Sequence, residues 1–468
     1  MSGSQSNITA RLCERIVSCG AEKLNSRLLP AARQLFLDGL AVAVAGAQLE
    51  SAPRILFEHF VDPLTGAGER PSASLLGMNA RIGTVQAALV NGSSMHVLDF
   101  EPMWLPATHA LSPALSTALA LGETLGANGF EILTAMVLGI EMQGRIRAAA
   151  LGPPEDVKFH PPGILGPIGA AVAAGHLLNF NAEQFANAIG IAGSRCGGLF
   201  VNLGTMTKST HCGYAAALGL EAALLTQRGF TGSTTLFEPG PQSFAEAFFP
   251  NGFAAESLLD FGEPFRIEDP GFTIKMFPAK FSTHYAITAA LSARPRVPHP
   301  NSIRKIRITA ADVPSSNRPH PRSGLDGKFS LQYTTVIALL DGRLDFESFT
   351  DERLARADVQ TLLGKIETML SPEIPGLYTA GRYLDLEIEL EDGNVIRERC
   401  ERPRGSWGSE PITTEEHLKK ARYCLETYLT PEAVETCISM CQNIDNLDSQ
   451  GMRSLLHLAS TGEVVRCC

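Results

Sequence analysis

The sequence predicts a mainly α protein, in which a large all-helical domain built from both ends of the chain holds a smaller inserted α+β domain. Three observations support this fold class. Apolar, Ala- and Gly-rich helical patterns fill about the first 265 residues, alternating runs typical of strands follow the composition change near Glu268–Pro270, and pure helical patterns return after Pro411. The predicted domains are residues 1–267 with 405–468, all α, and residues 268–404, α+β.

The helices of the large domain are predicted in chain order from periodicity and capping signals. A short amphipathic helix comes first, and a proline opens the second. Further Ala- and Leu-rich stretches follow, and the region 111–151 contains two helices separated by a short loop. The other predicted helices are Ile8–Ser18, Pro30–Ala47, Arg81–Asn91, a helix after His160, Ala182–Cys196 and a helix beginning near Lys208.

The inserted domain carries the strand signals. Ser302–Ala310 alternates between apolar and polar residues, and Tyr383–Cys400 contains two alternating runs around Asp392-Gly393, which is a strong hairpin signal. Between these strands, Leu331–Leu340 and Glu352–Leu370 are predicted to be helical.

Composition and charge exclude several classes of protein. The net charge is −10 and no basic stripe is present, which argues against a nucleic-acid partner. Apolar residues make up 44% and charged residues 19%, an ordinary globular composition. The ten cysteines form no C-x-x-C pair and the first residues contain no long apolar core, so we expect a cytoplasmic protein with free thiols.

Two uncharged windows, residues 102–122 and 161–182, are long enough to raise the question of membrane spans. Proline, histidine and many small residues interrupt both windows, which makes them less hydrophobic than a lipid-facing helix. We therefore predict buried helices and no membrane partner.

A recurring arrangement of titratable side chains indicates the candidate site. The loop within Met95–Thr117 carries Asp99 and His109 and leads into an Ala- and Leu-rich helix. Similar starts of small-residue helices follow His160, Lys208 with His211, and His284. Helix N-termini carry unpaired N–H groups and about half a positive charge, so their convergence would bind an anion and favour neutral bases.

The motifs for common cofactors and metals are missing. The sequence contains no G-x-G-x-x-G after a strand, no Walker A motif, no H-E-x-x-H and no paired cysteines. We therefore predict no cofactor and no metal, and interpret the Asp, His and Lys residues as groups for proton transfer from a small polycarboxylate.

Structural explanations compete with each of these assignments. His160 and His284 would serve as capping or core histidines about as often as functional ones, and Lys275 fits a strand lysine facing water equally well. Lys208 stands alone as a charge between Val201 and Leu220, and burying it without a purpose would be costly, which favours a function. Glu101 precedes Pro102 and is predicted to be exposed.

The segments that contain these residues resemble the MmgE/PrpD family. The resemblance rests on FLDGLAVAVAG, VNGSSMHVLDF with ATH, FHPPGILGPIGAAVAAGHLL, GTMTKSTHCGYAAALGLEAALL and KMFPAKFSTHYAITAAL. It implies a helical domain with an α+β lid and a homodimer. Lys275 and His211 match positions of the family's site less decisively than the five residues that follow. The positions that match the family's catalytic residues are Asp99, His109, His160, Lys208 and His284.

Within this family the chain most resembles the iminodisuccinate epimerase branch, which implies inversion of a stereocentre next to a carboxylate. Lys208 and either His109 or His284 would form the pair of bases, and His211, Lys275, Arg145 and Arg195 would bind the substrate. Decarboxylase members have an acidic residue followed by threonine where this chain has Glu101-Pro102-Met103, which disfavours decarboxylation.

Two other functions stay open at this stage. One is a dehydratase or decarboxylase that acts on a citrate-like tricarboxylate such as 2-methylcitrate or cis-aconitate, using the same pocket with a different second step. The other is a protein that binds carboxylates without catalysis.

Overall fold

The computed structural model describes residues 7–19, 24, 26–62, 72–152, 158–376 and 381–463. The chain divides into two compact units. Unit 1 comprises Met1–Val201, Met206–Phe272 and Thr413–Cys468, and unit 2 comprises Asn202–Thr205 and Thr273–Ile412. The predicted boundaries at 267/268 and 404/405 compare with 272/273 and 412/413 in the structure.

Helices dominate unit 1, and its strands are only two or three residues long. Each predicted helix of this region corresponds to a helix in the structure, and the structure has two additional helices, α3 and α10, that were not predicted. The elements up to residue 273 are α1 Ile8–Ser18, α2 Leu29–Leu49, α3 Ser51–Val61, β1 Ala73–Leu75, β2 Ala80–Ile82, α4 Thr84–Val97, β3 Met103–Trp104, α5 Leu111–Leu125, α6 Gly129–Ala149, α7 Pro161–Leu177, α8 Ala182–Gly193, α9 Thr207–Gln227, α10 Phe244–Phe248 and β4 Phe272–Thr273.

Unit 2 combines helices with one four-stranded sheet, whose strand order is β6-β5-β7-β8. Strand β5 pairs in parallel with β6 and antiparallel with β7, and β7 and β8 form the predicted hairpin. The elements are α11 His284–Ala293, β5 Ile303–Ala311, α12 Gly324–Gly327, α13 Leu331–Asp341, α14 Asp351–Ala355, α15 Ala357–Leu363, β6 Ile366–Ser371, β7 Leu384–Leu390 and β8 Val395–Cys400.

The predicted helix over Glu352–Leu370 is partly wrong. The structure has two short helices that end at Leu363, and Ile366–Ser371 forms the edge strand β6. Backbone pairing with β5 decides the conformation of this segment, because propensity over six residues is weak compared with a strand partner.

The chain returns to unit 1 through its C-terminal helices α16 Thr414–Leu425, α17 Pro431–Gln442 and α18 Ser449–Thr461. Helix α16 packs against α2, so both ends of the chain contribute to the same helical unit. The fold is mainly α with a smaller α+β part, as the sequence predicted.

Among the residues that the structure describes, no single helix is long and apolar enough to cross a membrane. One pair, Leu29–Leu49 with Ser51–Val61, meets the criteria of length and hydropathy only when its two helices are taken together, and it is bent by 80°.

Candidate active site

The close approach of helices α4 and α9 in unit 1 brings the central side chains of the site together. Gly213 on α9 lies against α4, where an added Cβ would clash with the Ser93 side chain and the Leu89 carbonyl. Because glycine allows this approach, His96 in the last turn of α4 reaches Lys208 in the first turn of α9. The resulting group of seven side chains is called the acid–base cluster: His96, Asp99, Glu101, His109, His160, Lys208 and His211.

The loop after α4 turns sharply at Asp99. This residue has a φ of 53°, a left-handed conformation that aspartate tolerates better than most non-glycine residues. The Asp99 amide donates to the carbonyl of His96 at 3.0 Å. The turn places both carboxylates of this loop, Asp99 and Glu101, in buried positions.

Contacts link four members of the cluster into one path. The Lys208 ammonium donates to Asp99 Oδ2 and to His96 Nε2, both at 2.9 Å. On the other side of its ring, His96 Nδ1 contacts Glu101 Oε1, and His109 Nδ1 lies 2.8 Å from the same oxygen. Close polar contacts therefore run from Lys208 through His96 and Glu101 to His109.

His160 and His211 extend the cluster beside this path. Their Nδ1 atoms lie 3.2 Å apart, so that one ring donates to the other. The His160 ring centroid is 5.4 Å from that of His96 and 5.8 Å from that of His109. His109 precedes α5, His160 occupies the N-cap position of α7, and Lys208 and His211 lie in the first turns of α9. Three helix N-termini thus converge on the cluster.

Burial and the Lys208 cation keep three histidines of the cluster neutral. Burial first, and then the charge of Lys208, lowers the pKa of His96 to about 3 and that of His211 to about 4. The same causes lower the pKa of His160 well below its usual value. These directions agree with the contacts, because a neutral His96 can accept from Lys208 at Nε2 while it donates to Glu101 at Nδ1.

Glu101 and His96 are members of the acid–base cluster that were not among the predicted site residues. The prediction of exposure is wrong, because Glu101 is fully buried. Burial alone would raise its pKa, but His96 and His109 lower the pKa well below the ordinary value, and Glu101 is therefore ionised. Its Oε2 has no hydrogen-bond partner among the described residues. The two-residue spacing from Asp99 in a non-helical loop could have indicated that both carboxylates face the same way.

Both arginines that were predicted to bind the substrate pair with other residues of the protein. Arg145 Nε donates to buried Glu141 at 2.6 Å, and the same guanidinium contacts the Pro264 carbonyl. Arg195 forms an ion pair with Glu221 at the surface. Glu141 also accepts from the amides of Gly262 and Arg266, so Arg145 belongs to a structural network. These contacts give no support to a substrate-binding role for either arginine.

Lys275 and His284 lie in unit 2 and form a buried pair of their own. The Lys275 ammonium donates to the Ala279 carbonyl at 3.4 Å, and His284 Nε2 donates to the same oxygen at 3.2 Å. The alternative of a strand lysine facing water does not apply, because Lys275 is fully buried. Their catalytic and substrate-binding roles stay predictions.

Cys212 lies next to His211 and is fully buried. Burial raises the pKa of its thiol well above the ordinary value, which disfavours a nucleophilic thiolate and agrees with a packing role. The eight described cysteines are all free thiols. Cys467 and Cys468 lie outside the described residues.

The rings of His96, His109 and His160 are close enough to hold a metal ion, since their nitrogen atoms lie within 4.8 Å of one another. However, both nitrogens of His96 already contact Glu101 and Lys208. The neighbouring ammonium would also repel a cation. The expected absence of a metal stays a prediction.

The fold and the site define a mainly α enzyme with a buried acid–base cluster on its helical unit. Comparison with family models agrees: residues 10–256 match the MmgE/PrpD N-terminal domain and residues 277–446 match the MmgE/PrpD C-terminal domain. The chain belongs to the MmgE/PrpD family, as the sequence motifs predicted.

Several similar relatives are enzymes with named substrates. Cis-aconitate decarboxylase from Mus musculus is 29% identical over 457 residues, which cover 94% of this chain and 91% of the relative. The enzyme of the same name from Homo sapiens is 29% identical over 98% of this chain and 96% of its own. The mitochondrial 2-methylcitrate dehydratase from Yarrowia lipolytica is 25% identical over 80% of this chain and 75% of its own.

These relatives confirm that the chain is an enzyme and correct the predicted reaction. The expected epimerisation of an iminodisuccinate-like substrate is wrong, because the similar proteins are decarboxylases and dehydratases. The classification as an isomerase is wrong for the same reason. Proton transfer next to a carboxylate is common to all three reactions, so the cluster's residues alone did not distinguish them.

Proposed function

We propose that this chain is a lyase that removes a carboxylate group from a small unsaturated tricarboxylate of the cis-aconitate type. The observation that carries the proposal is the path from Lys208 through His96 and Glu101 to His109, which joins a cation and a proton donor in one buried site. The similarity to cis-aconitate decarboxylases over more than nine-tenths of the chain supports it and outweighs the missing threonine after Glu101, because neither Pro102 nor Met103 belongs to the path.

Decarboxylation of such a substrate requires one proton. The carbon–carbon bond to the leaving carboxylate breaks and releases carbon dioxide, and its electron pair forms a new double bond as the original double bond shifts. The far carbon then takes a proton, so that a tricarboxylate and one proton become a five-carbon dicarboxylate and carbon dioxide. A proton donor must therefore face the double bond.

His109 is the proposed proton donor. Its Nδ1 lies against Glu101, which stabilises the imidazolium and leaves Nε2 as the position from which the proton is transferred. This arrangement resembles the carboxylate–histidine pairs of other acid–base enzymes.

Charge and helix ends would hold the substrate carboxylates. The Lys208 ammonium would attract a substrate carboxylate, and it lies between Asp99 and His96. The N-terminal ends of α5, α7 and α9 add partial positive charge at the same place. Neutral His160 and His211 can donate hydrogen bonds to a carboxylate without adding a positive charge to the site.

Proton NMR in deuterium oxide tests this function. The purified chain is incubated separately with cis-aconitate, 2-methylcitrate and citrate. We expect cis-aconitate to give a five-carbon dicarboxylate that carries one deuterium, with carbon dioxide released in equal amount. Glu101→Gln should lower kcat at least about 100-fold because an amide cannot stabilise the imidazolium, whereas Glu58→Gln, at an exposed position on α3, should not change it.

The same experiment contains the contradicting outcomes. If 2-methylcitrate or citrate loses water and cis-aconitate keeps all its carbons, the enzyme is a dehydratase and the decarboxylase proposal is wrong. The similarity to 2-methylcitrate dehydratases makes this the alternative to be tested beside it. If Glu101→Gln retains kcat within a few-fold, His109 is not supported as the proton donor.

A further inference from the structure

A second buried group of charged side chains lies in unit 1 and consists of Asp38, His417 and Lys420, here called the anchor group. Asp38 is on α2, and the other two residues are three positions apart on α16. Lys420 donates to Asp38 Oδ1 at 3.0 Å and lies 2.9 Å from its Oδ2. His417 Nε2 lies 3.1 Å from Asp38 Oδ2.

The anchor group contacts the loop of the acid–base cluster at one residue. The Lys420 ammonium donates to the carbonyl of Phe100 at 2.8 Å and lies 4.1 Å from the centre of the Phe100 ring. Phe100 stands between Asp99 and Glu101 in the sequence. One cation therefore fixes both the backbone and the side chain of the residue that separates the two carboxylates.

The backbone at this point depends on such support. Asp99 adopts a left-handed conformation, which costs free energy and persists only where its surroundings hold it. The Asp99 carboxylate must keep its 2.9 Å contact with Lys208, and Glu101 must keep its contacts with His96 and His109. A rotation of the peptide at Phe100 would displace both carboxylates at once.

We propose that Lys420 is a positioning residue, which acts through the Phe100 carbonyl to hold Asp99 and Glu101 in the acid–base cluster. Asp38 neutralises the buried ammonium and His417 orients Asp38, so that the charge of Lys420 is tolerated and its direction is fixed. Helix α16 belongs to the C-terminal segment, which gives that segment a role in the chemistry. This inference rests on the proposed lyase function for its catalytic readout.

Lys420→Met and Lys419→Met form a matched pair of variants for the test. Both lysines are on α16, but the Lys419 side chain is 70% exposed and the Lys420 side chain only 4% exposed. With cis-aconitate as substrate, Lys420→Met should lower kcat about tenfold to 100-fold with a much smaller change in KM, since a displaced carboxylate weakens proton transfer more than binding. Lys419→Met should not change either constant.

A second measurement separates positioning from a general loss of folded protein. In protein labelled with 15N-histidine and without substrate, the ring N–H protons of His96 and His109 that face Glu101 should give downfield signals. In Lys420→Met these signals should move or broaden while the circular-dichroism spectrum stays that of the wild type. They should be unchanged in Lys419→Met.

The outcomes distinguish the two proposals. The positioning role would be overturned if the wild type turns over substrate and Lys420→Met keeps both its histidine signals and its kcat. The lyase function would then stay intact. Absence of wild-type turnover with every tricarboxylate would overturn the lyase function, while the histidine signals would still test the positioning role. If Lys420→Met does not fold, Lys420→Gln removes the charge but keeps a polar side chain beside Asp38, and unchanged histidine signals and kcat in that variant would also overturn the proposal.

Discussion

The acid–base cluster and the anchor group contain the same three residue types in similar contacts, yet their surroundings differ. In each, a buried lysine lies within 3.0 Å of an aspartate, with a histidine beside it. The anchor group lies between α2 and α16, and its lysine ends on a backbone carbonyl. The acid–base cluster lies at helix ends and adds Glu101 and three more histidines.

This difference shows that burial and charge pairing do not by themselves make a catalytic site. A buried ion pair whose members bind only one another and the backbone fixes structure, because its charged atoms already have their contacts. Catalysis requires further groups that can exchange a proton or bind a substrate. In the acid–base cluster, Glu101 Oε2 has no hydrogen-bond partner among the described residues, and it offers such a position.

The largest effect is expected when the lysine of the acid–base cluster is replaced. Lys208→Met should lower kcat/KM on the order of 10³- to 10⁴-fold, about 4 to 5.5 kcal/mol of transition-state stabilisation, because substrate carboxylates lose their cation and the path to His109 loses its end. Steady-state kinetics with the tricarboxylate substrate measure this loss.

Lys158→Met provides the control for that variant, because Lys158 is exposed and stands close to His160 in the sequence. Its kinetic constants should match those of the wild type. If Lys208→Met keeps its activity within a few-fold, Lys208 is not the cation that binds the substrate carboxylates. The proposed difference between the catalytic acid–base cluster and the structural anchor group would then be wrong.

Replacement in the anchor group should first affect stability. Asp38→Asn leaves the Lys420 ammonium buried without its carboxylate, and should lower the free energy of unfolding of unit 1 by about 3 kcal/mol. Urea unfolding followed by the fluorescence of buried Trp104, in a Trp407→Phe background, reports on this unit.

The matched control for Asp38→Asn is Glu435→Gln. Glu435 is an exposed residue of α17 and pairs with Arg422, which is on α16 as Lys420 is. The urea midpoint of this variant should stay at the wild-type value, since exposed ion pairs contribute little. If Asp38→Asn and Glu435→Gln have equal midpoints, the anchor group does not stabilise unit 1 as inferred.

Most of the fold followed from the sequence because its signals are local. Proline and small residues mark the helices, and Asp392-Gly393 marks the hairpin between β7 and β8. The edge strand β6 was not predicted because its pairing with β5 depends on residues some 60 positions away. Local patterns carry no information about such a partner.

The candidate site was predicted in part, for a related reason. His109, His160, Lys208 and His211 stand at helix starts, a local pattern, and the structure brings these four together. Glu101 was misjudged because Pro102 suggested a surface turn, whereas side chains of α4, α9 and α16 contact that loop. The partner of Arg145, Glu141, lies one helical turn away on α6, and the surrounding amides that complete its network come from residues more than 100 positions later.

The smallest expected effect is on the pH dependence of stability. It comes from the neutral histidines of the acid–base cluster, and His211 is the one tested. Burial and the Lys208 charge lower the pKa of His211 to about 4, against about 6.5 in the unfolded chain. The folded state therefore has its full stability with respect to His211 above pH 6.5. This stability is lost as the pH falls toward 4, because in that range only the unfolded chain takes up the proton. The loss is at most about 1.4 kcal/mol per pH unit for one histidine, and less where solvent screens the ring.

We therefore expect the urea midpoint of unit 1 to fall between pH 7.5 and pH 5, and to fall less in His211→Asn than in the wild type. His457→Asn, at an exposed position on α18, should keep the wild-type pH dependence. The remaining dependence in His211→Asn should come from His96 and His160, whose pKa values are lowered by the same burial and the same cation. An equal fall in His211→Asn and in the wild type would show that His211 does not stay neutral in the folded state. The acid–base cluster would then hold an unpaired positive charge beside Lys208, and its inferred difference from the charge-paired anchor group would fail.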